Sequence, residues 1–244
     1  MLYIVLPAYN EEKSIGPLFS AVMKSMRKLK IEYMVVLVND GSSDKTKMRV
    51  NSFKWRIPLE FINHGKNRGW PAAVNTGLKF VLRKGRKQDV IVTMDTDNTH
   101  SPDLISKMLK MIDEGCDVVV ASRFQPGSKV VGLTWVREML SMGNSLLFRL
   151  LFPIRGVKDY SCGFRAYRLD VIKKAYDYYG ASFIDQEGFS FMPDILLKLR
   201  RFNLKMAEVS FTLRYDLKKS TSKMRIAKTI RETLSLLLKR RIGL

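Results

Sequence analysis

The 244-residue chain is poor in cysteine and histidine, and it has no long uncharged apolar run. Its two cysteines, Cys116 and Cys162, lie far apart with no partners at metal-ligand spacing. A disulfide framework and a zinc site are thereby excluded, and both read as reduced thiols. No stretch reaches the ~18 apolar residues that a membrane span needs. The longest candidate, 134–154, is interrupted by Arg137, Glu138 and Arg149. The opening Met-Leu-Tyr-Ile-Val-Leu-Pro is short and has no basic n-region, so it does not read as a secretory signal. An intracellular, non-spanning protein is expected. Acids are also scarce: 43 Lys and Arg stand against 23 Asp and Glu, a net charge of +20. Such a field attracts nucleic acid, anionic lipid headgroups or phosphorylated substrates, although a solvated lysine-rich surface gives the same balance. Zinc spacing, an aromatic RNP pattern and a helix-turn-helix signature are all missing. A nucleic-acid-binding protein therefore rests on charge alone, and no nucleic-acid partner is expected.

The length suits one sizeable α/β domain over 1–244, without internal repeats or a compositional break. Short β-branched runs predict strands at Tyr3–Leu6, Tyr33–Val38, Leu59–Ile62, Val90–Met94 and Val118–Ala121. Helical patterns alternate with them at 13–29, 44–53, 71–83 and 102–114, the last opened by Ser101-Pro102 as cap and first turn. Alternation of this kind predicts a mostly parallel, Rossmann-like sheet flanked by helices, with ligands outside the carboxyl ends of the strands. Further along, helices are predicted at 134–152, 169–178 and 189–201, and strands at 164–167 and 205–211. A basic loop over 214–223 then leads into a final amphipathic helix reaching about Arg241.

The polar clusters fall just after strands. Asp95-Thr96-Asp97 closes a hydrophobic strand, so both carboxylates emerge at the ligand edge. Mg²⁺ or Mn²⁺ typically takes one or two protein carboxylates and completes its shell with substrate phosphates, which makes Asp95 and Asp97 the candidate metal ligands. Alone, such a triplet is usually a surface turn. Here Pro7-Ala8-Tyr9-Asn10-Glu11 follows the first strand and Asn39-Asp40-Gly41-Ser42-Ser43-Asp44 the second. Pro7 stiffens the chain leaving the sheet, Gly41 permits a tight turn and Asp44 caps the next helix. Asp40, at a strand end, is placed to accept hydrogen bonds from a nucleobase or ribose.

In order and spacing these three motifs resemble those of family 2 glycosyltransferases, which have the GT-A fold. Asn67-x-Gly69 with Ala73 and Asn75-Thr76-Gly77 is similar to that family's helix entry. The second half narrows the resemblance to dolichyl- and polyprenyl-phosphate mannose or glucose synthases. It does so through Asp95-x-Asp97-x-x-His100-x-Pro102, Ala121-Ser122-Arg123-Phe124, Ser161-Cys162-Gly163-Phe164-Arg165-Ala166-Tyr167-Arg168, Gly188-Phe189-x-Phe191-x-x-Asp194, and Arg214 with Ser222-Lys223-Met224. Two positions depart from the pattern: Asn39 replaces a usual acid, and Thr99 stands where an amide metal ligand is common.

The resemblance implies a nucleotide-sugar-binding half over 1–122 and an acceptor-binding half over 123–244. Pro7, Tyr9, Glu11 and Asp40 would hold the nucleoside of a GDP- or UDP-hexose. Asp95 and Asp97 would hold ribose, diphosphate and a divalent metal, with Arg214 also on the donor side. Arg123, Arg137 and Ser141 would grip a polyprenyl phosphate, and Lys223 would lie over donor or acceptor phosphates. Asp97, Arg123 and Lys223 are thus the candidate catalytic residues, with inversion at the anomeric carbon. A phosphate monoester, with a second pKa of ~6, needs no general base. A hydroxyl acceptor on a sugar, polysaccharide or protein would need one, and Asp185, Glu187 and Asp194 are the available carboxylates. The intact Asp-x-Asp argues against a catalytically silent scaffold. The 134–152 pattern fits an interfacial helix and a core helix equally. Basic residues beside leucines in the final helix suit an anionic membrane surface. Together these predict peripheral attachment to a cytoplasmic leaflet, directly or through a separate membrane-anchoring protein.

Overall fold

The computed structural model describes residues 1–219 and 226–241 of the chain. The five apolar runs of the first half form β1 (Leu2–Ala8), β2 (Tyr33–Asn39), β3 (Leu59–Asn63), β4 (Val90–Thr93) and β5 (Val118–Ser122). Between them run α1 (Glu12–Leu29), α2 (Thr46–Asn51), α3 (Trp70–Lys84) and α4 (Ile105–Asp113). Helices cover both faces of the sheet, which is why β1 and β5 read as continuous apolar runs, without polar alternation. α1 buries Ile15, Leu18, Phe19, Val22 and Met26 on one stripe. Each such side chain stabilises the fold by ~1.5–3 kcal/mol.

The second half adds β6 (Lys129–Val131), α5 (Trp135–Leu151), β7 (Arg165–Arg168), α6 (Leu169–Tyr179), α7 (Phe191–Leu199), β8 (Met206–Ser210), β9 (Thr212–Arg214) and α8 (Ile226–Arg241). Among the described residues the main sheet has seven strands in the order β3-β2-β1-β4-β7-β5-β8. β7 and β8, from the second half, complete the sheet begun by the first. β7 is antiparallel to both of its neighbours, with Ala166 facing Val92 on one side and Val119 on the other. Because it runs backwards, the chain arriving at its start, 159–164, lies at the same edge as the ends of its parallel neighbours. The 159–164 segment is thereby delivered to the ligand edge.

Two local expectations need correction. Pro102 does open a short 3-10 turn before α4, but the Ser101 side chain makes no capping bond. Asp44 stands one residue ahead of the N-cap of α2 and accepts the Thr46 amide at 2.9 Å, while its other oxygen accepts the Glu12 amide at 3.1 Å. It therefore ties two helices together as well as closing one. The β6–β9 ribbon, in which Val130 faces Leu213, was not expected from the sequence. Three-residue strands carry too little periodicity to be read.

Candidate active site

The turns after β1 and β2 are zipped together. Asn10, in the left-handed region with φ 56°, donates its amide to Ser42 Oγ at 2.9 Å and accepts the Ser43 amide at 2.9 Å. The Glu11 amide reaches Thr46 Oγ1 at 2.8 Å. Gly41 has φ 70°, and a Cβ there would fall 2.4 Å from the backbone of Lys66 and Asn67, so no side chain fits. Asp40 is buried and accepts the amides of Arg68 at 2.9 Å and Gly69 at 2.8 Å, with His64 Nδ1 at 2.8 Å. Its partners in the fold are these three donors, which seat the 64–69 loop at the start of α3.

The bend after β4 is equally determined. Thr96 Oγ1 donates to the Pro7 carbonyl at 2.7 Å, joining the ends of β1 and β4. Asn98, at φ 65°, donates its side-chain amide to the Ser14 carbonyl at 3.1 Å. His100 accepts the Asp95 amide on Nδ1 at 3.2 Å and places Nε2 3.9 Å from Asp95 Oδ2, its ring stacked on Phe164. Thr99 donates its amide and hydroxyl to Asp97 Oδ1 at 3.1 and 2.6 Å, so this departure from the family pattern steers the second aspartate. The other Asp97 oxygen lies 2.5 Å from Lys218 Nζ. Loss of water raises the pKa of Asp95, with the Asp97 charge adding to it and His100 opposing. Burial pushes Asp97 the same way, but the Lys218 ammonium and His100 outweigh it and hold the carboxyl below the usual range.

Two carboxylates meet here, and among the described residues no third His, Cys, Asp or Glu joins them to make an all-protein cage. That donor set fits Mg²⁺ or Mn²⁺ sharing its shell with phosphate oxygens. The Lys218 ammonium already resting on Asp97 marks the spot as one that takes a cation.

Arg123, just after β5, is held from behind. Its Nε and one Nη donate to the two oxygens of Asp159, each at 2.7 Å, and the same Nη reaches Ser161 Oγ at 2.7 Å. Asp159 is 0% exposed and also accepts the amides of Arg123 and Cys162 at 3.1 Å. Burial works against its charge, but the Arg123 guanidinium wins and depresses its pKa. Glu208 on β8 accepts the amides of Lys158 and Asp159 at 2.6 Å each. The fully buried Arg165 gives its guanidinium to the carbonyls of Cys162, Met192 and Tyr160 at 2.6–2.8 Å. The segment before β7 is thus fixed on three sides, and within it burial pushes the Cys162 thiol up to about 12.

One cavity of about 1000 Å³ runs along these strand ends. Pro7, Tyr9, Glu11, Asp40, Asp95, Asp97, Arg123, Arg137 and Ser141 all line it. Ser141 Oγ is buried without a hydrogen-bond partner. Arg137 donates Nη1 to the Tyr215 hydroxyl at 2.9 Å, and the same Tyr215 ring lies 5.4 Å from Lys218 Nζ. The apolar wall comes from Trp70, from Leu140 and Leu147 on α5, from Phe189, and from Ile230 and Leu234 on α8.

Arg214 is not in that lining. Along β9 exposure alternates, Leu213 turns in, and Arg214 faces out to a bidentate pair with Asp216. Its main chain alone serves the site, through an amide bond to the Thr99 carbonyl at 3.0 Å. The donor-side role expected of its side chain does not match this placement. Lys223 lies outside the described residues. None of the candidate bases lines the cavity. Asp194 is buried between Lys198 at 2.6 Å and Arg240 of α8 at 2.7 Å, and Asp185 pairs with Lys198 at 2.8 Å. Sequence reasoning missed Asp159 and Lys218 as site residues. The first lies two residues before the motif that starts at Ser161, whereas the second carries no signal beyond belonging to a basic loop.

The model of the family described as Glycosyl transferase family 2 matches residues 3–175. The chain belongs to glycosyl transferase family 2. Among its relatives in that family, a dolichol-phosphate mannosyltransferase of Pyrococcus furiosus is 31% identical over 86% of this chain and 55% of its own length. The chain therefore spans little more than half of that relative. A polyprenol monophosphomannose synthase of Mycolicibacterium smegmatis is 28% identical over 86% of this chain and 76% of its own length. The sheet order and flanking helices are those of the GT-A fold. Glucosyl-3-phosphoglycerate synthase from Mycobacterium tuberculosis, solved with Mn²⁺, UDP and glucosyl-3-phosphoglycerate, superposes with a TM-score of 0.62. It is 16% identical and covers 100% of this family 2 chain and 80% of its own. The Staphylococcus aureus TarS fragment with UDP-GlcNAc has a TM-score of 0.62 at 19% identity, covering 97% of this chain and 65% of its own.

Proposed function

We propose that this protein transfers a hexose from a GDP- or UDP-sugar to a polyprenyl phosphate, with inversion and with Mg²⁺ or Mn²⁺ held by Asp95 and Asp97. The observation that carries this reading is the composition of the cavity at the strand ends. Strand-end carboxylates, two arginines, an unpartnered buried serine hydroxyl and an apolar wall from α5 and α8 share one space. A phosphate with an apolar tail suits that combination, and the names of the mannosyltransferase relatives support it.

In this mechanism a phosphate oxygen of the acceptor attacks the anomeric carbon, the bond to the nucleoside diphosphate breaks, and no proton need be removed near neutral pH. A divalent ion bound at Asp95 and Asp97 would neutralise charge developing on the diphosphate. Pro7, Tyr9 and Glu11 position the nucleoside, and Asp40 acts through the 64–69 loop that it seats. Arg123 has two of its three guanidinium nitrogens committed to Asp159 and Ser161, so its plane is preset and its other Nη is left for a phosphate oxygen. Arg137 and Ser141 add donors from α5. Lys223 remains in this reading as a phosphate contact on its motif alone. A hydroxyl acceptor is disfavoured because Asp185, Glu187 and Asp194, the carboxylates considered for activating it, do not line the cavity, and two of them are in ion pairs.

The same reading places the protein peripherally on the cytoplasmic leaflet, where lipid phosphate and nucleotide sugar meet. Among the described residues no helix is long and apolar enough to cross a membrane. Instead α5 turns Trp135, Met139, Met142, Leu146 and Leu150 outward, the pattern of a helix lying in an interface.

Nucleotide release from a panel of GDP- and UDP-sugars tests the proposal, with and without polyprenyl phosphate, in Mn²⁺ or EDTA. Release requiring lipid phosphate, metal and an intact Asp97 is expected. Release only with a water-soluble hydroxyl acceptor would overturn it.

A further inference from the structure

Lys218 stands at the donor end of the cavity, in the turn after β9, outside every motif that accounts for the rest of the site. Its ammonium lies 2.5 Å from Asp97 Oδ2. Among the described residues, the only other basic group within ion-pairing range of either metal-site aspartate is His100, 3.9 Å from Asp95. The lysine is not a loose surface group. Its side chain is 18% exposed and its ammonium rests against the Tyr215 ring. The turn that carries it is pressed against the chain between β6 and α5. There Gly132, at φ 82°, leaves so little room that a Cβ would fall 2.6 Å from the Asp216 amide nitrogen.

Resting on the metal assignment proposed above, we infer that Lys218 is a resident counter-ion of the metal site. It holds Asp97 in the donor-free protein and leaves that carboxylate when a divalent ion and the nucleotide diphosphate arrive together. An ammonium and a divalent ion repel each other too strongly to share one carboxylate oxygen. The metal therefore enters only if Lys218 moves, and Lys218 moves readily only if another anion receives it. The diphosphate that completes the metal's shell is that anion. Metal and nucleotide then favour the same released state of Lys218, and by linkage each raises the affinity of the other. Removing the ammonium should uncouple them.

Mn²⁺ binding, read by electron paramagnetic resonance on the donor-free protein and again with GDP or UDP present, tests this without any turnover. For the wild type, nucleotide is expected to tighten Mn²⁺ binding by about tenfold or more. Lys218→Met is expected to bind Mn²⁺ about tenfold more tightly than wild type when no nucleotide is present, and to lose most of the nucleotide enhancement. Lys218→Arg, which keeps the charge, should behave as wild type, and Asp97→Asn should bind little Mn²⁺ in any condition. Equal donor-free Mn²⁺ affinity in wild type and Lys218→Met, with Asp97→Asn still defective, would overturn the inference and leave the metal assignment standing. Absence of Mn²⁺ binding to wild type with either nucleotide would overturn the metal assignment and this inference with it.

Discussion

α1 and α5 are similar in length and opposite in plan. α1 turns its apolar stripe to the sheet and its lysines to water, as a helix does when its burial stabilises the fold. α5 buries only Ser145 and Phe148 and leaves Trp135 71% and Leu150 72% exposed, with Met139, Met142 and Leu146 between them. It is fastened at few points: the Ser145 hydroxyl on the Lys158 carbonyl, the Phe148 ring stacked 5.3 Å from Tyr160, and Arg137 on the Tyr215 hydroxyl at 2.9 Å. The difference separates two tasks within one cavity. The strand-end side is a rigid polar cradle, overdetermined by hydrogen bonds from loop to loop. The helical side is an apolar wall whose outer face contributes little to folding and stays exposed.

The largest expected effect lies in the cradle. Asp97→Ala should lower sugar transfer by at least roughly 10²–10³-fold, as loss of a preorganised electrostatic group at a developing charge does; steady-state nucleotide release measures it. Arg123→Gln comes next, because it strands the buried Asp159 carboxylate at a cost of about 3–5 kcal/mol near neutral pH. Its pH dependence has a definite sign. In the wild type the pairing depresses Asp159, so its stabilisation is complete above the ordinary carboxylate pKa of ~3.9 and is lost as pH falls through the lower native value. In the variant the guanidinium is gone and burial is opposed only by the backbone amides that still reach the carboxylate, so its pKa lies above the wild-type value and the deficit, full at neutral pH, narrows as pH falls toward about 4. Urea melts across that range would show a constant deficit if the pair were electrostatically idle.

Arg240→Ala should cost about 1.5–3 kcal/mol, since α8 is latched to buried Asp194 through that guanidinium at 2.7 Å. Protection of the α8 amides from hydrogen exchange should fall before that of the sheet. The smallest effect on stability, within ~0.5 kcal/mol per site, is expected for Trp135→Ser, Met139→Ser and Leu150→Ser together. If α5 is the lipid-facing wall, the same triple variant loses flotation with anionic vesicles while its melting temperature stays put. A large drop in melting temperature would instead return α5 to the ordinary plan of α1.

The legibility of the sequence follows the same division. The first five strands and their helices announce themselves because buried parallel strands are continuous β-branched runs, and Asp95 and Asp97 are found by their place at the end of one. α5 could be placed from sequence but not oriented, since a stripe of apolar residues looks the same whether it faces a core or a bilayer. The reversed direction of β7 was unreadable, because pairing sense leaves no mark on a four-residue strand. With it went the role of Asp159, which comes to Arg123 across a long stretch of sequence. The outward placement of Arg214 was unreadable for a simpler reason: a motif gives position but not face, and one step along β9 turns a side chain away from the cavity.

Tyr215 touches both sides of this division. Its hydroxyl receives Arg137 from the helical wall, and its ring face carries the ammonium that sits on Asp97. On the assignments proposed here, a single phenol is the hinge between the two substrates, so a lysine that departs on one side alters the support of an arginine on the other. On those same assignments an order of arrival is expected, the nucleotide sugar first and the lipid second, and initial-rate patterns with both substrates varied would read it directly.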